Sequence, residues 1–397
     1  MNILMLSDVY FPRINGVSTS IRTFAQALAR MGHTITLVAP DYGTDHQARD
    51  DGNEGFEILR LPSRKIFFDP EDRLIKGHDL AKAEAALCER EWDVIHIHTP
   101  FRAHTLGVRL ARHGGWPTVE TYHTYFEEYV GHYLPWLPSP LTRLLARRAS
   151  RHLCHGVDEL IVPSAQMLEV LDRYGVTTPS TVIPTGIDLD QFSNGDGARF
   201  RAAHGISPER PTLVTVSRLS LEKNIGFLLQ VVRRLVAAFS DLLFLIAGEG
   251  PDEPRLRRLV QELGLQGHVR FFGNLDRRTT LLDAYRAGDA FVFASPTETQ
   301  GLVLIEAMAL GVPIVSTAVM GTATVLRDAA SAVVAQEDVD DFARQVARVL
   351  RSPEMRAQLS SAGPADARAW GADGMARRVE TLYVRLAQQA HLVPLTS

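Results

Sequence analysis

A chain of 397 residues, with 42 Lys and Arg against 46 Asp and Glu, carries a formal net charge of −4. That length suits two or three domains rather than one, and the near balance of charge gives no global attraction to nucleic acid. Cys88 and Cys154 are too few for a disulfide framework and fit a reducing cytoplasm, while His152, Cys154 and His155 match no common zinc spacing and read as a packed helix end.

The opening Met1-Asn2-Ile3-Leu4-Met5-Leu6 is apolar but short, lacks a basic leader and runs into Ser7-Asp8. It reads as a buried strand, not a signal peptide. No run is long enough to cross a bilayer, so any membrane contact is expected to be peripheral. Helical periodicity from Ser18 to Met31 ends at Gly32, and β-branched or apolar strands follow at Thr34 to Ala39, Val94 to His98, Val119 to Tyr122 and Leu160 to Pro163. Such strands, separated by helices, predict a parallel sheet covered on both faces. The loop Y-F-P-R-I-N-G-V-S, Tyr10 to Ser18, offers Asn15-Gly16 for a positive φ and close backbone approach to a ligand, with Ser18 as helix cap. It lacks G-x-G-x-x-G, which argues against a dinucleotide dehydrogenase. His96 and His98 share one face of their strand, and His123 follows the next strand in T-Y-H-T.

From Tyr129 to Val157 there is no carboxylate, while Arg143, Arg147, Arg148 and Arg151 fall on a helix expected to start at Ser139-Pro140. Leu141, Leu144 and Leu145 form an apolar stripe on it, and Tyr133, Leu134, Trp136 and Leu137 precede it. A basic amphipathic helix beside aromatics can lie on anionic lipid, each Arg contributing about 1 kcal/mol. Trp136, Arg143, Arg147, Arg148 and Arg151 are therefore membrane or acceptor candidates, with R-K-I-F-F from Arg64 to Phe68 as a second contact. The competing reading is leucines facing a core and arginines facing water.

Pro184 and Gly186 punctuate the stretch Val182 to Phe192, and N-G-D-G follows from Asn194 to Gly197, so the interdomain linker is placed there. A second α/β pattern begins with strand Thr212 to Ser217 and helix Gly226 to Phe239. Strands Leu242 to Ala247 and Val269 to Phe272, helix Leu281 to Ala287 and strand Ala290 to Ala294 continue it. Arg218 and Lys223 come just past its first strand, where ligands of open α/β sheets bind. A planar fork and a point charge can share one pyrophosphate. Farther on, Glu298 falls in a polar turn and Glu306 inside the following helix, which Gly311-Val312-Pro313 ends before strand Ile314 to Ser316. Backbone N–H groups at such a helix start hold phosphate and carboxylates accept from hydroxyls, which suits a nucleotide-sugar. Taken alone, an E-x7-E pair reads more simply as a solvated Glu298 and a Glu306 paired with a base. An amphipathic helix from Met375 to Gln389 is the last element.

The run S-P-T-E-T-Q-G-L-V-L-I-E-A-M-A-L-G-V-P-I-V, Ser295 to Val315, closely resembles the donor-binding signature of family-4 retaining glycosyltransferases of the GT-B fold. S-R-L-S-L-E-K-N-I-G-F-L-L resembles their diphosphate clamp, T-Y-H-T their active-site histidine, and Gly248-Glu249-Gly250-Pro251 their G-x-G-P turn. The likeness runs from the first strand to the Trp370 region. It implies two doubly wound, Rossmann-like parallel-sheet domains facing a central cleft. These would be an acceptor-binding domain at 1–185, a donor-binding domain at 186–370, and a helix at 371–397 returning to the first domain. It implies His123, Arg218, Lys223 and Glu298 as catalytic residues. Donor contacts are implied at Asn15, Gly16, Gly248, Gly250, Asn274, Leu275, Thr299, Gln300, Gly301, Leu302, Val303 and Glu306, with Glu306 on the ribose. Family members usually carry paired glycines where this chain has Asn15-Gly16.

No matched motif supplies an obvious carboxylate nucleophile, so retention is expected by front-face displacement, with positioning and leaving-group stabilisation as the protein's part. The positive groups present mean that no metal or other cofactor is expected. Gln300 stands where many members have Phe. With T-Y-H-T-Y-F-E-E-Y-V-G-H-Y-L-P it looks like the branch that glucosylates diacylglycerol. The expected reaction moves glucose from a nucleotide-diphosphate sugar, UDP-glucose, to a lipid acceptor at the inner face of the cell membrane. The alternatives are transfer of mannose or another hexose to a phosphoinositide or soluble acceptor, a nucleotide-sugar epimerase, and a non-catalytic nucleotide-sugar-binding protein. The residues leave the oligomeric state open.

Overall fold

The computed structural model describes residues 1–13, 15–43, 54–65, 73–123 and 139–392, with only the backbone at 139–143, 145, 146, 391 and 392. Trp136, residues 66–68 and the side chains of Leu141, Arg143 and Leu145 thus lie outside the described residues. The chain divides into two compact units, Met1–Gly186 together with Ala372–Ser397, and Ile187–Gly371.

The first unit runs β1 (Asn2–Leu6), α1 (Gly16–Arg30), β2 (Thr34–Asp41), β3 (Glu57–Lys65), β4 (Arg73–Ile75), α2 (Gly77–Cys88), β5 (Val94–Ile97) and α3 (Arg102–Gly114). It continues with β6 (Thr118–Thr121), α4 (Ser139–Cys154), β7 (Glu159–Val162), α5 (Ala165–Tyr174) and β8 (Ser180–Val182). The strands lie in the order β4-β3-β2-β1-β5-β6-β7-β8, parallel except for β3 with β4. Strand order therefore reverses between β1 and β5.

Helix α1 starts one turn earlier than the Ser18 cap predicts. Asn15 is the cap, its side-chain oxygen accepting from Ser18 N at 2.8 Å. Asn15 is extended at φ −155, and Gly16 is not at positive φ either, so the left-handed turn expected of this pair is absent. Ser18 instead lies buried in the first turn of the helix.

The second unit runs α6 (Gly197–Ala203), β9 (Thr212–Val216), α7 (Ile225–Leu235), β10 (Leu243–Ala247), α8 (Glu253–Glu262), β11 (Val269–Phe271), α9 (Thr280–Ala287) and β12 (Ala290–Phe293). It ends with α10 (Leu302–Ala309), β13 (Ile314–Ser316), α11 (Gly321–Leu326), β14 (Ala332–Val334), α12 (Val339–Arg351) and α13 (Pro353–Arg368). Its strands are all parallel in the order β11-β10-β9-β12-β13-β14, reversing between β9 and β12. Alternate residues feed two cores. Val214, Leu245, Phe291 and Ile314 face one side of the sheet, while Leu213, Phe244, Val292 and Val315 face the other. Burial on both faces explains strands that read as continuous apolar runs. Two doubly wound parallel-sheet units were expected, and two are found.

The N-G-D-G stretch assigned to the linker is packed instead. Asp196 caps α6, and a Cβ on Gly197 would lie 2.0 Å from the Arg286 carbonyl oxygen. The last helix, α14 (Ala372–Leu392), packs with α1 on the first unit's sheet, burying Val379, Leu382, Tyr383 and Leu386. Each such side chain contributes about 1.5–3 kcal/mol. Arg385 to Glu159 at 2.8 Å and Arg378 to the Val182 carbonyl at 2.6 Å fix its position along the sheet.

Candidate active site

In the second unit the parallel strands bring their carboxyl ends to one edge, and the order reverses between β9 and β12. Ligands of open α/β sheets bind beyond such a switch point. Arg218 and Lys223 follow β9, Gly248 to Gly250 follow β10, Asn274 and Leu275 follow β11, and Glu298 follows β12.

The exposed Arg218 sits on a backbone held from below by the glycine turn. Ser217 N donates to the Ala247 carbonyl at 3.1 Å and Leu219 N to the Glu249 carbonyl at 2.9 Å. A Cβ on Gly248 would be 1.9 Å from the Ser217 carbonyl oxygen, and one on Gly250 2.3 Å from that of Leu219. Gly248 is also at φ +123, a conformation that side chains rarely adopt. These two glycines therefore shape the Arg218 loop. Gly248 N in turn donates to the Gly273 carbonyl at 2.7 Å, and Asn274 Nδ2 reaches Glu249 Oε2 at 3.1 Å. Leu275 packs against the core beneath.

Lys223 ends a 3-10 turn, Leu221–Lys223, that Asn224 closes at φ +55. Asn tolerates this left-handed region better than most residues. The turn is stitched to the loop after β12, since Asn224 Nδ2 donates to the Ala294 carbonyl at 3.3 Å and Ser295 Oγ to that of Glu222 at 2.9 Å. Lys223 Nζ thereby lies 2.5 Å from Glu298 Oε2, both side chains 20% exposed. The Glu298 loop is braced from behind as well. Gly321 N donates to the Glu298 carbonyl at 2.8 Å, and a Cβ on Gly321 would be 2.1 Å from the Thr299 carbonyl oxygen. Thr299 and the buried Gln300 lead into Gly301, at φ +90, which caps α10 so that Leu302 and Val303 form its first turn.

Glu306 is buried inside α10, and both its oxygens are engaged. Arg277 Nη2 donates to one at 2.5 Å and the Tyr285 hydroxyl to the other at 2.7 Å. The carboxylate and the burial together push the Tyr285 hydroxyl well above its ordinary range, burial being the larger cause. A carboxylate offers about four acceptor sites, and these two donors fill two of them. Arg277 and Tyr285 were not foreseen. L-D-R-R-T marks Arg277 only as a basic turn residue, and nothing local marks Tyr285.

In the first unit Asn15 and Gly16 follow β1, His98 follows β5 and His123 follows β6, again at the carboxyl edge beside the switch point. His98 Nδ1 is 3.3 Å from His123 Nε2. Burial lowers His123 to about 4 and His96 to about 3, so both rings are neutral near pH 7. Asp8, also unforeseen, ties β1 to α3. It accepts from Thr99 Oγ1 at 2.8 Å, Arg102 N at 3.1 Å and Ala103 N at 3.0 Å, yet burial raises it to about 6. On α4 the side chains of Arg147, Arg148 and Arg151 are exposed, and Leu144 is 48% exposed rather than in a core. No described helix is long and apolar enough to cross a membrane.

Two family models match, the one described as Glycosyltransferase Family 4 over residues 14–191 and the one described as Glycosyl transferases group 1 over residues 196–366. The chain is 34% identical over 322 residues to an alpha-monoglucosyldiacylglycerol synthase of Streptococcus pneumoniae, covering 80% of this chain and 71% of that protein. It is 26% identical over 402 residues to the protein of that name from Acholeplasma laidlawii, covering 97% of each. A sucrose-phosphate synthase from Thermosynechococcus elongatus matches in structure with a TM-score of 0.79 at 22% identity, covering 98% of this chain and 99% of that one. Anabaena Alr3699/HepE in complex with UDP matches with a TM-score of 0.76 at 17% identity, covering 97% and 100%. Matched in both halves by the family models and along most of its length by a relative above 30% identity, the chain belongs to the family 4 and group 1 glycosyltransferases, with the GT-B fold.

Proposed function

We propose that the protein transfers glucose from UDP-glucose to diacylglycerol with retention of configuration, working at an anionic membrane surface. The observation that carries the donor half is the cluster of paired charges at the carboxyl edge of the second unit's sheet. There Arg218 and Lys223 follow one strand, Glu298 is drawn onto Lys223, and Glu306 is held by Arg277 and Tyr285. Two cations of different shape suit a pyrophosphate, and carboxylates suit the hydroxyls of ribose and hexose. The names of the two monoglucosyldiacylglycerol synthases support glucose and the lipid acceptor.

In the proposed step the acceptor oxygen bonds to the anomeric carbon on the face from which the diphosphate departs. The carbon–oxygen bond to phosphate breaks with its electron pair on the diphosphate, and a phosphate oxygen takes the acceptor proton. Arg218 and Lys223 stabilise the charge gathering on the leaving group. Glu298 holds the hexose hydroxyls and Lys223 together, Glu306 holds the ribose, and neutral His123 contacts the hexose. Asn15-Gly16 and Asn274-Leu275 complete the donor contacts. Membrane docking is supported by the exposed Arg147, Arg148 and Arg151 beside Leu144. Three such arginines contribute about 3 kcal/mol, roughly a hundredfold in affinity.

Thermal shift with a donor panel tests the donor assignment. At a hundred times its Kd, UDP-glucose should stabilise the fold by about 2.7 kcal/mol. A shift with GDP-mannose but not UDP-glucose would reject it. Sedimentation with anionic liposomes tests docking, which should be strong at low salt and weak at high salt. No binding at either salt would remove the membrane from the reading.

A further inference from the structure

His96, His98 and His123 form a row of imidazoles in the first unit, and the step above uses only the last. Ring centroids lie 3.9 Å apart for His96 and His98 and 5.6 Å for His98 and His123. His96 is closed at both nitrogens, with the Tyr383 hydroxyl 2.5 Å from Nδ1 and Thr121 Oγ1 2.6 Å from Nε2. His98 is 1% exposed, its Nδ1 is 3.3 Å from His123 Nε2, and its own Nε2 is buried with no hydrogen-bond partner among the described residues.

Burial keeps all three rings neutral near pH 7, so each carries one N–H. For His98 the two placements of that hydrogen are not equivalent. On Nε2 it would be a buried donor with no acceptor among the described residues, a rarer and costlier arrangement than an unfilled acceptor. On Nδ1 it donates to His123. His123 Nε2 is then an acceptor, and the single hydrogen of His123 must sit on Nδ1. The bond from His98 also obstructs protonation at Nε2, which reinforces the neutral ring.

We propose that His98 is a positioning residue that locks His123 in the Nδ1–H tautomer, so that His123 meets the donor sugar as a neutral hydrogen-bond donor. The second half of this statement rests on the reading of His123 as a hexose contact. Such a ring can hold a sugar oxygen without taking a proton from it, which leaves the acceptor proton to the departing phosphate.

Nitrogen-15 NMR of the full chain labelled at histidine tests the tautomer without any turnover, with His123 assigned from the spectrum of His123→Gln. The wild type should show His123 as Nδ1–H. An Nε2–H ring there overturns the proposal whatever the activity. In His98→Leu the His123 ring should gain Nε2–H character and kcat/KM should fall about 10-fold, equivalent to about 1.4 kcal/mol. His98→Asn, whose amide N–H can occupy the Nδ1 position, should restore both. An unchanged His123 ring in a folded His98→Leu protein overturns the lock. Full transfer by His123→Gln overturns the sugar contact alone and leaves the tautomer claim standing.

Discussion

Lys223→Ala separates a charge that stabilises the leaving group from a charge that merely decorates a surface. Lys223 Nζ lies 2.5 Å from Glu298 Oε2, and each side chain is 20% exposed. The pair is partly buried, so losing it costs more than the ~1 kcal/mol or less of an exposed pair, but truncation lets water reach Glu298 and holds the loss to about 1–2 kcal/mol. The backbone of the turn is held independently, by Asn224 and Ser295, and so should survive the truncation. Removing one preorganised charge from a developing diphosphate costs about 2.7–4 kcal/mol in the transition state, or 10²–10³-fold in rate. The variant should therefore melt only slightly lower while kcat/KM falls at least about 10²-fold. Steady-state glucosyl transfer at saturating lipid and a thermal melt supply the two readouts. Combining it with Glu298→Gln should give less than the product of the single losses, because contacting residues couple by about 0.5–3 kcal/mol. Turnover within about threefold of wild type, some 0.6 kcal/mol, would refute the reasoning.

Gly248→Ala should do damage of a different kind, since its Cβ would meet the Ser217 carbonyl oxygen at 1.9 Å with φ at +123. The Arg218 loop must shift, and stability should drop by about 1–3 kcal/mol together with donor affinity, measured by melting with and without UDP-glucose. A normal melt and normal binding would show that this glycine does not set the loop. Glu306→Gln presents an amide N–H₂ to a site where Arg277 and Tyr285 both donate. It should cost about 1–3 kcal/mol in a urea melt and raise KM for the donor more than it lowers kcat. An unchanged KM would take Glu306 off the ribose. Acid should weaken the first unit. His96 falls from 6.5 to about 3 on folding, so its stabilising contribution is complete above about pH 6.5 and is lost as pH falls toward 3. Between pH 7 and 5 that is about 2 kcal/mol, with His98 acting in the same direction. Asp8, raised to about 6, opposes it, because its burial penalty is relieved as pH drops through 6, returning about 1 kcal/mol. Urea unfolding at the two pH values should show a net loss at pH 5, and equal stability would contradict these environments.

The central strands were legible because burial on both faces leaves Leu243–Ala247 wholly apolar and Thr212–Val216 β-branched or apolar at every position. Strand β3 was not, since Glu57, Arg60 and Pro62 break any apolar pattern near the sheet's edge, where polar residues and proline are tolerated. Asn15 and Ser18 are both capping types one turn apart, and only the backbone decides between them. The four residues Arg218, Lys223, Glu298 and Glu306 could be named from local motifs, and all fall in the second unit. Their pairings could not. Lys223 and Glu298 are 75 residues apart, and His96 and Tyr383 are 287 apart, so neither contact leaves a local pattern. The arginine on Glu306 has the same cause, a pairing made by the fold between a turn and a helix 29 positions on.

The most direct measurement incubates the purified full chain with UDP-glucose and vesicles containing diacylglycerol and anionic lipid, then determines the anomeric configuration of the isolated glycolipid by proton NMR. An α-linked monoglucosyl diacylglycerol, formed only when both substrates are present, is the predicted result. A β-linked product, free glucose alone, or altered nucleotide-sugar without any acceptor would contradict it.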